Sequence, residues 1–411
     1  MKYQPGKRPR ISRQDARQKL FDLNCVVGTE TVCIDECYGR VLAHDLISDA
    51  MIPPFPKAPV DGYALIGEDT LSATPDNPVT LKLIEEVPAG SAPSKIINHG
   101  ECTKILTGAP VPVGADTVVR YESTVFTDCS MTVDHPVELN KNIVPIGDDI
   151  KIGSIIAKKG DVITPPICGL LAALGKTEIE VFKKPHITII TTGTELQPPD
   201  KPLEYGKIRN SSYHLQKGYL EKAGATVSTL GIVADDIQLI AQKIQLALDT
   251  SDMVITTGGV SVGDYDYILA ATDALGAERL FWKVKMRPGG TMLCAAKDGK
   301  LILGLSGNPA SASLALHIIG MPFIKKLCGQ KESAPKRTRA RLIGKIEKDS
   351  PFGRLVRGKM ELVDGEVCFK PVDSQGNGAL TSMMGCDLIA DLPDDTPPLE
   401  SGAIIDCYVI E

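Results

Sequence analysis

Two glycine-rich stretches supply the residues in this 411-residue sequence whose types and spacing best suit chemistry. In DMVITTGGVSVGD, Gly258, Gly259 and Gly263 leave the backbone free to turn so that successive N–H groups converge, with the Ser261 hydroxyl beside them. In LGLSGNPASASLAL, Ser306, Gly307 and Asn308 lead straight into a helix start, whose unpaired N–H groups and partial positive charge favour an anion. Either stretch alone reads equally well as a structural turn. Placed after two strands of one parallel sheet, they share the carboxyl edge where such sheets bind ligands, and a phosphorylated ligand is expected. Neither is GxGxxG followed by a ribose-binding acid, nor GxxxxGK[ST], so a standard dinucleotide or P-loop site is disfavoured.

Acids accompany these loops. Glu195 follows the first strand of the same region, Asp235 the second, and Asp266 begins the helix after the glycine loop. Three carboxylates on one sheet edge repel each other and a phosphate unless a hard cation such as Mg²⁺ sits among them. Asp235 and Asp266 read as well as helix N-caps. Lys283 and Arg287, in FWKVKMRPGG, have the same parity on a strand and could meet one anion from one face, or simply form a solvated face.

The elements that must position these groups follow from the pattern. From His186 to about residue 330, strand and helix signals alternate, as expected of a parallel sheet covered by helices. HITIITT, ATVSTLGIV, DMVITTG and LILGLSG are the strands. SSYHLQKGYLEKAG is a helix ending at Gly224, the next carries Ile237, Ile240, Ile244 and Leu248 on one face, and a third opens at Pro309. Before this region, Ser12-Arg-Gln-Asp15 opens a short amphipathic helix, and Pro/Gly-punctuated β-formers fill 51–144. After it, RLVRGKMELV and EVCFKPV flank Asp364-Gly365, a good two-residue hairpin turn, in a small barrel or sandwich. The fold class is α/β multidomain: a central parallel-sheet domain at 184–332, a discontinuous domain of 1–50 plus 145–183, a β-rich domain at 51–144, and a C-terminal β-barrel at 333–411.

Composition narrows the function classes. A hydrophobic fraction of 43% and a charged fraction of 23% are those of a globular chain, and no apolar run is long enough to cross a bilayer. The basic start lacks an apolar core behind it, so no secretory signal is expected and the cytoplasm is the expected compartment. The 11 cysteines contain no CxxC pair, and the six histidines form no ligand spacing, which points to reduced thiols and any metal held by oxygen. A net charge of −6 with 5% aromatics argues against nucleic acid.

Taken in order, TTGTEL, GGVSVGDYDY, FWKVKMRPGG and LGLSGNPASASLAL resemble the molybdopterin-binding domain shared by MoeA, gephyrin and the MogA adenylyltransferases. The flanking segments GRVLAHDL, PPFPKAPVDGYAL, ILTGAPVPVGADTVVRYES and GDDIKIGSIIAKKGDVI, with the β-rich tail, resemble the MoeA type, molybdopterin molybdenumtransferase of the gephyrin E-domain kind. The resemblance implies insertion of molybdate into adenylylated molybdopterin, with Mg²⁺ and release of AMP. It further implies a homodimer with a cleft shared between subunits, a MogA-type adenylyltransferase and apo-molybdoenzymes as transient partners, and no membrane or nucleic acid. The family's functional positions fall on Asp61, Thr107, Asp149, Glu195, Asp235 and Asp266, with Asp61 and Asp149 on the partner's side. Without the resemblance, Asp61, Thr107 and Asp149 read as turn and loop residues.

Five departures cluster at ligand-facing loops. The usual DNSAMDGYA is PKAPVDGYA, the stretch commonly YDSN is Arg209-Asn210-Ser211-Ser212 and lacks its acid, Gly290 replaces the second lysine of a KPGKP-like turn, Ser306 replaces proline in PGNP, and Asn377 replaces serine in QGS. Two other readings therefore stand beside the transferase: a paralogue that hydrolyses or adenylylates a related pterin or inserts tungstate, and a non-catalytic scaffold. Retention of all five acids weighs against the scaffold.

Overall fold

The structure is a computed structural model that describes all residues except 1–9, 24, 26, 261–265, 351–352 and 411. The chain divides into two compact units, one of residues 1–44, 159–164 and 178–411, the other of 45–158 and 165–177. No helix among the described residues is long and apolar enough to cross a membrane.

In the larger unit, Arg13–Phe21 is helical because Ser12 accepts the Asp15 N–H at 3.0 Å, the N-cap expected from the sequence. A six-stranded sheet follows, in the order Thr226–Val233, His186–Thr192, Met253–Thr257, Lys300–Leu305, Leu293–Lys297, Glu278–Trp282. Its first four strands are parallel. Side chains alternate between faces, so Ile187 and Ile189 pack with Leu220 and Leu303 while Ile190, Val254 and Ile302 pack with Ile240 and Ile244. Burial on both faces explains why these strands read as unbroken apolar runs.

The four strands expected from the sequence are the parallel ones, and two further strands extend the sheet antiparallel to their neighbours. A parallel crossover needs a dozen or more residues, and neither Lys297 to Lys300 nor Trp282 to Leu293 supplies them. One correction concerns Ile237, which stands 36% exposed at the start of helix Ile237–Thr250, while Ala241 joins Ile240, Ile244, Ala247 and Leu248 on the buried stripe.

Arg337–Leu342, Arg354–Val363, Glu366–Pro371, Leu388–Leu392 and Ile404–Val409 close into a barrel around Phe369, Leu388 and Val356. Asp364 and Gly365 turn its hairpin with φ of 51° and 82°, both left-handed as a type I′ turn requires. In the smaller unit, a second six-stranded sheet pairs Gly62–Leu65 with Glu101–Ile105 and Thr117–Arg120, both antiparallel.

Candidate functional site

Both glycine-rich loops leave adjacent strands of the central sheet at its carboxyl edge, and they touch. Gly258 N–H donates to the Leu305 carbonyl at 3.1 Å, and a Cβ placed on Gly307 would meet the Gly258 Cα at 3.4 Å. Gly258 and Gly259 are left-handed, with φ of 93° and 67°, and a Cβ on Gly258 would lie 2.3 Å from the Thr192 carbonyl oxygen. Ser261 and Gly263 lie outside the described residues. The hydroxyls of Thr256 and Thr257, at the end of the first of these strands, and of Thr192, at the end of the neighbouring strand His186–Thr192, are buried without a partner among the described residues. Ser306 Oγ accepts the Asn308 N–H at 3.2 Å, and Ser212 Oγ donates to the Gly307 carbonyl at 3.3 Å, which ties helix Ser212–Lys222 to the second loop.

The acids separate into distinct settings. Asp236, not Asp235, caps helix Ile237–Thr250 by accepting the Leu239 N–H at 2.8 Å. This leaves Asp235 to accept the Thr194 N–H at a long 3.3 Å, which draws it to the loop that carries Glu195. The Glu195 carboxylate folds over Gly193, whose Cβ position is 2.7 Å from Oε2. Asp266 does cap its helix, with Oδ1 accepting the Leu269 N–H at 3.2 Å, while Oδ2 is buried without a partner among the described residues. Burial pushes its carboxyl up to about 6, against the lowering by the Leu269 N–H, Lys283 and Trp282. Among the described residues, no three His, Cys, Asp or Glu side chains gather closely enough to form a metal site.

Lys283 and Arg287 do not share a strand face. The strand ends at Trp282, Lys283 is left-handed at φ 68°, and its ammonium lies 4.0 Å from the centre of the Trp282 ring. Burial, then Arg10, lowers the Lys283 pKa, and the Asp266 charge partly restores it. Arg287 instead turns onto the barrel, where its N–H donates to the Gly353 carbonyl at 3.0 Å and its own carbonyl accepts Leu355 N–H at 2.7 Å. There it lines a cavity of about 790 Å³ with the cations Arg354, Lys345 and Lys348 and the acids Glu347, Asp349 and Asp373, beside Gln375 and Asn377. Burial and then the Arg287 charge depress the Arg354 pKa, and the Asp349 carboxylate partly offsets them.

The barrel adds a residue that sequence reasoning missed. Arg357 is fully buried, its Nη2 donates to the Gly376 carbonyl at 3.1 Å, and its Nε and Nη1 have no partner among the described residues. Gln375 is locked to the same strand, accepting Arg357 N–H at 3.0 Å and donating to the Arg357 carbonyl at 2.8 Å. The Asn377 carbonyl accepts the Ser311 N–H at 3.2 Å, which brings this loop to the helix that opens after Asn308. The available signal was an arginine inside the otherwise buried run Leu355–Gly358.

In the smaller unit, Asp61 and Thr107 meet because their strands pair Gly62 with Ile105. Asp61 Oδ1 accepts both the Thr107 N–H and its hydroxyl at 2.7 Å, and these bonds hold the carboxyl below its ordinary range. Asp149 is exposed, its backbone N–H donates to the Ile52 carbonyl at 2.9 Å, and no hydrogen bond among the described residues joins it to Asp61 or Thr107.

Two of the departures acquire local reasons. Arg209 donates to the carbonyls of Pro199 and Lys201 at 2.7 and 2.8 Å, bracing the excursion after Glu195. A Cβ on Gly290 would lie 2.3 Å from the Met286 carbonyl oxygen, so this backbone has no room for the usual lysine.

A parallel sheet covered on both faces, with two glycine-rich loops at its carboxyl edge and a closed five-stranded barrel in the same unit, is an α/β multidomain architecture. Three family models match in succession: MoeA N-terminal region (domain I and II) over 11–175, the probable molybdopterin binding domain over 188–326, and MoeA C-terminal region (domain IV) over 339–410. Molybdopterin molybdenumtransferases from Staphylococcus aureus and Staphylococcus epidermidis are 35% and 34% identical over 405 residues, spanning 98% of this chain and 97% of theirs. The solved molybdopterin biosynthesis MoeA protein of Pyrococcus horikoshii superposes with a TM-score of 0.84 at 28% identity, covering 98% of this chain and 100% of that one. The chain therefore belongs to the MoeA family of molybdopterin molybdenumtransferases, and it is an enzyme of molybdenum cofactor biosynthesis.

Proposed function

We propose that this enzyme inserts molybdate into adenylylated molybdopterin and releases AMP. The observation that carries the reading is the buried Arg357 with two N–H-bearing nitrogens unpaired among the described residues, close in the fold to the cavity lined by Arg287 and Arg354. Such cations suit a polyanion, since hydrogen bonds to charged groups are shorter and roughly twice as strong as neutral ones. The touching loops at Gly258, Gly259 and Ser306–Asn308 would orient the pterin phosphate, and Ser261 and Gly263 are assigned to the same loop. Lys283 and Arg287 would offset the charge that spreads over the phosphoanhydride as its P–O bond breaks.

The carboxylate oxygens of Glu195 and Asp235, with Asp266, are the donors a hard cation takes, and Mg²⁺ needs only one or two of them beside substrate oxygens. When bound it would neutralise charge on the anhydride. Asp61, Thr107 and Asp149 are proposed to act in the partner's cleft of a homodimer, in the cytoplasm, with a MogA-type adenylyltransferase supplying the substrate and apo-molybdoenzymes receiving the product. The four-part division of the chain, at 50, 145, 184 and 333, belongs to the same reading.

Equilibrium binding of adenylylated molybdopterin to wild type and to Arg287→Ala tests the assignment. Loss of one charge-assisted contact, worth roughly 1.5–3 kcal/mol, should weaken binding about 10- to 100-fold. Unchanged affinity would remove the barrel-side cavity from the site.

A further inference from the structure

Helix Pro309–Ala315 starts at the Ser306–Asn308 loop but does not continue as an α-helix, because Leu316–Gly320 forms a π turn before helix Met321–Leu327. Such turns insert an extra residue and recur at functional sites. This one sets the His317 ring edge-on to Tyr219 at 4.4 Å between centroids. Both rings line a cavity of about 270 Å³, separate in its lining from the arginine-lined one, walled by the end of helix Ser212–Lys222, the π turn, helix Met321–Leu327 and the barrel residues Ile389 and Tyr408.

The lining is chemically one-sided. Its interior is apolar and aromatic, and among the described residues that line it the charged ones are Lys222, Lys325 and Lys336, with no Asp or Glu. The Lys325 and Lys222 charges reach His317, which burial already keeps neutral, and its Nε2 is buried without a partner among the described residues. A cationic rim over a ring-lined interior selects a ligand with a flat apolar body and one anionic group, and the volume limits it to one or two rings.

We propose that this cavity is a second small-molecule site, distinct from the pterin site, that takes a compact aromatic carboxylate. The ring would lie against Tyr219 and His317, with its carboxylate at the lysine rim. An occupant would touch the central domain and the barrel at once.

The test is titration of methyl-labelled protein with 2-naphthoate, followed by NMR at Ile318, Met321 and Ile389, with Ile190 in the opposite core layer as a check on folding. Saturable shifts confined to the first three methyls are expected, with the uncharged 2-naphthamide at least about tenfold weaker, a difference of about 1.4 kcal/mol. Lys222→Gln should weaken naphthoate binding severalfold, and Ser333→Trp, which fills the cavity from the linker, should abolish it. No saturable shift, equal affinity for the amide, or unchanged binding in Ser333→Trp would overturn the proposal. Should Ser333→Trp fail to fold, the comparison of acid with amide on wild type and Lys222→Gln decides alone.

Discussion

Arg357 has no solvent exposure and leaves Nε and Nη1 unpaired among the described residues, an arrangement that costs stability unless an anion completes it. Arg357→Met, of similar volume, is therefore expected to keep Tm within about 4 °C of wild type or raise it, while lowering turnover about 10- to 100-fold. A variant with lower Tm and intact turnover would make Arg357 a structural residue. At Asp61 the two bonds from Thr107 lower the pKa, so the pair contributes stability above the ordinary Asp range near pH 4 and loses it as pH falls through the depressed value. Thr107→Ala removes the hydroxyl donor but keeps the N–H, and carboxyl NMR should show the Asp61 midpoint moving up. Single residues were the least legible scale. Asp61 and Thr107 are far apart in sequence and meet only through strand pairing, and two adjacent aspartates, Asp235 and Asp236, offer the same cap signal in the sequence.

Elements were legible where local rules act alone. Ser12 capping, the Asp364-Gly365 turn and the Pro309 helix start all stand as the sequence implied, because each depends on a few adjacent residues. The antiparallel edge, the left-handed Lys283 and the π turn were not legible, since each is set by tertiary packing. Two expectations follow at this scale. Gly290→Lys restores the family's usual residue but places Cβ against the Met286 carbonyl, so thermal unfolding should show a loss of about 1–3 kcal/mol rather than a gain in ligand affinity. His317 on the π turn is held neutral by burial, with Lys325 on helix Met321–Leu327 and Lys222 on helix Ser212–Lys222 adding to the effect and the Tyr219 ring packed beside it; its pKa falls to about 4. Its unfolded form takes up a proton near pH 6.5, so stability is full above that value and declines as pH falls towards 4. His317→Leu should flatten that part of the pH–stability curve, and an unchanged slope would show that other groups set it.

At the scale of the whole molecule, the α/β class and the terminal barrel were legible from alternating periodicities, whereas the function was legible only through resemblance of successive motifs across almost the whole chain. Composition alone gave a globular acidic protein and nothing narrower. If the working cleft is shared between subunits, mixed dimers of Asp61→Asn and Asp235→Asn chains should regain turnover that neither parent has, and mixtures that stay as inactive as the parents would place both residues in one subunit's site. The central claim is tested most directly by incubating the purified protein with adenylylated molybdopterin, Mg²⁺ and molybdate, and measuring AMP release together with reconstitution of an apo-molybdoenzyme. Both signals, each dependent on molybdate, are the predicted result; AMP without reconstitution, or tight binding with neither, would contradict it.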